Sequence, residues 1–171
     1  MTMSPRLRKL ALTAHVVCSV GWLGAVAGTL ALGVAGLTSQ DPQMVRAAYL
    51  AMESTGWSVL IPLSLTSLLT GLIQSLGTKW GLLRHYWILM KLLINVLATA
   101  VLLLYMQTLS VLADIASSGA DLSVLRSPSP VLHAAAAMLL LLAAATLSVY
   151  KPRGMTRYGW RKQHEQRAVI A

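Results

Sequence analysis

The sequence predicts an all-α integral membrane protein: a four-helix bundle with both termini cytoplasmic and a short interfacial helix in its first external loop. Three observations predict it. Hydrophobic residues make up 56% of the 171 residues while charged ones make up 11%, well short of the roughly one quarter that keeps a soluble domain dissolved. Four apolar runs reach the roughly 20 residues that cross a bilayer as a helix. Each is apolar all round rather than along one stripe, which excludes a water-soluble bundle.

The first run extends from about Leu10 to Gly36, the second from Trp57 to Gly77, the third from Tyr86 to Leu112 and the fourth from Val131 to Tyr150. Only the third contains Asp, Glu, Lys or Arg, and there only Lys91. A secretory signal is a poor reading of the first run, despite Arg6, Arg8, Lys9 and the small residues Ala25 and Ala27. Its apolar stretch outlasts a signal core and continues to Gly36. The whole chain, 1–171, reads as one four-span membrane domain, with 151–171 as a basic tail.

Orientation comes from the basic residues, which stay in the cytoplasm near span ends. Three precede span one, Lys79 and Arg84 separate spans two and three, and six follow span four; the two remaining loops hold only Arg46 and Arg126. This partition accounts for the formal charge of +9 without a nucleic-acid partner. Trp57 marks the outer headgroup layer; Trp80, Tyr86, Trp87 and Tyr150 mark the inner one. The tail, with Tyr158 and Trp160 among its bases, is expected on anionic lipid. Asp41-Pro42 caps a helix reaching about Glu53, and the spacing of Val45, Tyr49 and Met52 lays that face on the membrane surface. Ser117–Pro130 reads as an irregular external connection.

Small residues predict close packing: Gly24 and Gly28 form a GxxxG pair on span one, opposite Ser64, Ser67 and Gly71 on span two. These faces serve either packing inside the chain or a homodimer or partner membrane protein. Pro62 predicts a kink.

The chemistry lies in polar residues at one depth. His15, Ser19 and Trp22 share a face of span one, Lys91, Asn95 and Thr99 share one of span three, and Gln74 descends to the same layer. Trp22 stands about 18 Å into the membrane, where its indole N–H needs an acceptor. Lys91 lies about 9 Å inside span three with no acidic residue in any span to neutralise it. It either snorkels to headgroups, loses its proton, or pairs with an anionic ligand. His15 is either a buried, satisfied histidine or a metal or haem ligand, with His85 as a second imidazole at the boundary.

His15-Val-Val-Cys-Ser-Val-Gly-Trp22-Leu-Gly24, Ile61-Pro62 with Thr70-Gly71-Leu72, and Trp87 with Lys91 together resemble the CopD/HemJ-type superfamily of small bacterial membrane helix bundles, in its four-span actinobacterial branch. The resemblance covers the first three spans. It implies a bacterial cell membrane, a redox role and a haem b site mapping onto His15 and Lys91, and the shared depth adds Asn95, Trp22 and Gln74 as its candidate surroundings. HemJ-type proteins carry Pro-Arg after the first span, where Thr29-Leu-Ala-Leu-Gly33 continues here, so porphyrinogen oxidation does not carry over. The CopD side implies copper instead, for which His133 and Met106 are the candidates beside Met138, Met44 and Met52. A non-enzymatic accessory subunit is the third reading. No phosphate loop, carboxylate pair or Ser/His/Asp arrangement occurs.

Overall fold

A computed structural model of the chain describes residues 3–77, 82–119, 121–152 and 154–170. The readings on Lys79, Trp80, Arg153 and the Arg167 side chain lie outside what is described. Six helices are found among the described residues: α1 (Pro5–Thr38), α2 (Pro42–Thr55), α3 (Ile61–Gly77), α4 (Tyr86–Ser117), α5 (Ser129–Tyr150) and α6 (Arg157–Ile170). Their starts follow local chemistry. Ser4 accepts from Leu7 N–H at 3.4 Å before Pro5, and Asp41 accepts from Gln43 N–H at 2.9 Å before Pro42, each filling an otherwise orphan donor.

Four continuous helical stretches are long and apolar enough to cross a membrane: Pro5–Thr38, Pro42–Gly77, Tyr86–Ser117 and Ser129–Tyr150. Leu10, Leu104 and Leu139 stand 66%, 70% and 69% exposed, a surface that suits hydrocarbon and not water. In the bundle α1 lies beside α3 and α5, and α4 also lies beside α3 and α5, so α1 and α4 occupy opposite corners. Both chain ends meet the α3–α4 connection: Met3 N–H donates to Gly77 O at 3.2 Å, and Thr156 N–H donates to Arg84 O at 3.0 Å. This end of the bundle is the terminal end.

The second apolar run lies within a longer continuous helical stretch, Pro42–Gly77, because α2 runs into α3 through a π-helical turn at Gly56–Leu60. There Ile61 N–H reaches back to Gly56 O. Pro62 lacks an N–H and its ring crowds the carbonyl four residues before it; the wider turn accommodates both without ending the helix. The α2 stripe is likewise turned into the protein instead of onto the membrane surface. Val45, Tyr49 and Met52 are fully buried with Met106, Leu109, Leu112 and Leu125, a core that closes the far end of the bundle. Gly56 lets this happen, since a Cβ there would overlap the Met106 sulfur. The Tyr49 hydroxyl donates to Leu125 O, pinning the 121–128 connection. A second core, Trp22, Val26, Leu60, Ala98 and Leu141, crosses the middle of the bundle.

Of the small-residue faces, that of α3 packs as expected: Ser67 hydroxyl meets Ser19 hydroxyl at 2.8 Å, and Gly71 lies against His15. Gly24 and Gly28 do not. A Cβ added to either meets nothing within 4 Å, so this pair faces outward.

Candidate polar site in the terminal half of the bundle

His15 occupies the α1–α3 seam. Its Nδ1 lies 3.1 Å from Ser67 O and 3.1 Å from Thr70 Oγ1. A carbonyl only accepts, so Nδ1 carries the proton. The Thr70 hydroxyl hydrogen is directed to Thr66 O, 2.7 Å away, which leaves its oxygen to accept from the same Nδ1–H. The neutral ring therefore presents Nε2 as a lone pair, the state of an imidazole ready to accept or to ligate. Gly71 makes the close fit possible: its added Cβ would stand 3.1 Å from His15 Cε1. Ser67 and Thr70 thus fix the ring, a pairing the sequence shows only as hydroxyls at neighbouring turns of span two.

Lys91 stands on α4, the helix at the opposite corner from α1, and is partly buried. No hydrogen bond or ion pair holds Lys91 among the described residues. Asn95 is partly buried and also has no hydrogen-bond partner among them. Thr99, one turn further, is 4% exposed, and its Oγ1 is a buried side-chain polar atom without a partner.

The other predicted residues are placed differently. Gln74 ties α3 to α1, its Nε2 donating to Ala11 O at 2.9 Å. Trp22 is buried in the mid-bundle core, and its indole N–H finds no hydrogen bond among the described residues. His85 precedes α4, where it forms an isolated bridge with Met155 and lies 6.3 Å from the Trp87 ring. The copper candidates are not brought together. Met106 fills the space over Gly56 in the far core. His133 is exposed, stacks on Tyr105 at 3.9 Å, and donates from Nδ1 to Ser129 O at 2.9 Å. No cluster of three or more His, Cys, Asp or Glu suited to a metal ion occurs among the described residues.

What the two helices offer is a row of donors on α4 and an imidazole acceptor on α1, with the apolar mid-bundle core of Trp22, Val26 and Leu60 further along. Known family models, curated proteins and solved structures return no significant match to this chain.

Proposed function

We propose that this small multi-pass membrane protein binds an anionic tetrapyrrole, haem b in the first instance, which His15 would hold through its imidazole and Lys91 through its charge. The observation that carries this reading is the Nδ1–H bond from His15 to Ser67 O. It commits one nitrogen and leaves Nε2 free, as in metal-ligating histidines whose second nitrogen is held by a carbonyl. Lys91 supports it as a cation inside the bundle without an encoded counter-charge, a costly arrangement in a membrane unless an anion is supplied. These donors fit a porphyrin held through one imidazole; His85 and His133 are engaged elsewhere. When bound, haem supplies a one-electron redox centre, and the protein's part is to fix the imidazole, pair the propionate and exclude water beneath Trp22.

The terminal end belongs in the cytoplasm of a bacterial cell membrane on this reading, because the basic residues gather there. Copper receives no support from the placement of Met106 and His133.

The test is the visible spectrum of protein purified from haem-replete cells. The reading predicts a Soret band that His15→Ala abolishes and that Lys91→Gln weakens. A colourless protein rejects it, and a stoichiometric co-purifying membrane protein in that case identifies an accessory subunit.

A further inference from the structure

We infer that Lys91, Asn95 and Thr99 form an anion-binding stripe along the interior face of α4, with Thr99 as its deepest contact. Thr99 sets this face apart. A threonine in a membrane helix ordinarily satisfies its hydroxyl at the carbonyl four residues back. Thr29 does so to Ala25 O at 2.9 Å, Thr66 to Pro62 O at 2.7 Å, and Thr146 to Leu142 O at 2.9 Å. The corresponding acceptor for Thr99 is Asn95 O, yet its buried oxygen makes no bond. An unpaired hydroxyl in that position is destabilising, and an acceptor supplied from outside the chain would relieve it.

Thr99 is not isolated. Lys91 and Asn95 precede it by two turns and one turn on the same face, about 6 Å apart along the axis. Neither has a hydrogen-bond partner among the described residues. The three supply an ammonium, an amide N–H2 and a hydroxyl, all able to donate. Acceptors of opposite charge are missing nearby, since no Asp or Glu occurs in 5–38, 54–113 or 129–150. On α1 and α3, the Ser19 and Ser67 hydroxyls pair with each other and His15 keeps its Nδ1–H on Ser67 O, leaving a neutral imidazole nitrogen but no anion. A row of donors headed by a cation selects an anion. The shared chemistry is a small oxyanion or halide, or the carboxylate of a larger ligand. The inference shares Lys91 with the tetrapyrrole reading but rests separately on Thr99 and Asn95.

The test is the thermal unfolding midpoint in detergent as chloride, nitrate or formate replaces gluconate at constant ionic strength. In haem-free protein the midpoint should rise and saturate with each small anion but not with gluconate. Thr99→Val and Asn95→Leu should weaken that apparent affinity at least tenfold, Lys91→Gln should abolish the response, and Lys91→Arg should keep it. Thr99→Val, which removes only the unpaired hydroxyl, should unfold in gluconate no earlier than the parent. Repeating the titration with haem-loaded protein separates the sources: loss of the response on loading identifies the propionate as the natural occupant, and its survival identifies a free anion. Absence of a small-anion effect, or the same effect in the Thr99→Val and Lys91→Gln variants as in the parent, overturns the inference. A colourless protein with an intact response removes the haem reading and leaves the anion site standing.

Discussion

Replacing Gly71 with alanine tests the seam that positions His15. The new methyl carbon would lie 3.1 Å from Cε1 and 3.6 Å from Nδ1 of the imidazole. The first is tighter than ordinary contact, so the ring must retreat by a few tenths of an ångström. Its bonds to Ser67 O and Thr70 Oγ1 are each 3.1 Å, and that retreat stretches both toward the limit at which a hydrogen bond fails. Losing them costs about 0.5–1.5 kcal/mol apiece. Against this, alanine is the better helix former by about 1 kcal/mol. Gly24→Ala and Gly28→Ala isolate that gain, because nothing lies within 4 Å of an added Cβ at either position. The expected order is therefore Gly71→Ala below both controls by about 1–3 kcal/mol, the difference in which helix propensity cancels. Reversible unfolding in detergent followed by circular dichroism reads the difference, and nitrogen-15 spectra of the imidazole report whether Nδ1 keeps its proton. Equal stability of Gly71→Ala and the controls, with an unchanged imidazole spectrum, refutes the placement of His15 against α3.

Three further outcomes follow from the rest of the molecule. Tyr49→Phe removes the donor to Leu125 O, a carbonyl of a fully buried residue, and should lower stability by about 1–3 kcal/mol while faster proteolysis reports a loosened 121–128 connection. Gly159→Ala places a carbon 2.5 Å from Arg84 O, a backbone atom that cannot swing aside; cleavage in the tail by added protease should accelerate without a change in the bundle's unfolding midpoint. The Ser123 hydroxyl, bonded to Asp121 at 2.8 Å, holds that carboxyl below its ordinary value. A depressed carboxyl stabilises the fold above its unfolded pKa, and that contribution disappears as pH falls through the folded one. The Asp121 titration seen by NMR should accordingly move upward in Ser123→Ala, and an unmoved midpoint contradicts the assignment.

The crossing helices were legible in the sequence because lipid demands long uninterrupted apolar runs, and the four runs hold no Asp, Glu, Lys or Arg apart from Lys91. Partners were less legible. The spacing of Val45, Tyr49 and Met52 identified a helix and its apolar face, but a stripe carries no record of what covers it; Met106 and Leu109 do. The continuity of α2 with α3 was not legible because Gly56 and Pro62 look like boundaries in a string of letters, whereas a π-helical turn carries the helix on. GxxxG at Gly24 and Gly28 marked a smooth helix surface without saying which way it turns. For the site, the shared faces of His15 and Lys91 were visible as helical spacing. Two contributors were not. Thr70 and Ser67 hold the imidazole through one hydroxyl and one main-chain carbonyl, and a carbonyl has no signature in sequence. Thr99 stood on the Lys91 face, but its unusual state, a hydroxyl that declines the carbonyl of its own helix, exists only in three dimensions.

The haem reading depends on His15 and Lys91 meeting inside the bundle from opposite corners. The direct measurement is cross-linking of a His15→Cys, Lys91→Cys pair by a short bis-maleimide in membranes, on a Cys18→Ala background. The account predicts an intramolecular link as efficient as that of a Gly33→Cys, Val131→Cys pair, whose backbones adjoin at the α1–α5 contact. A link at 33–131 with none at 15–91, while both 15 and 91 react singly, would place the two side chains on separate faces and contradict it.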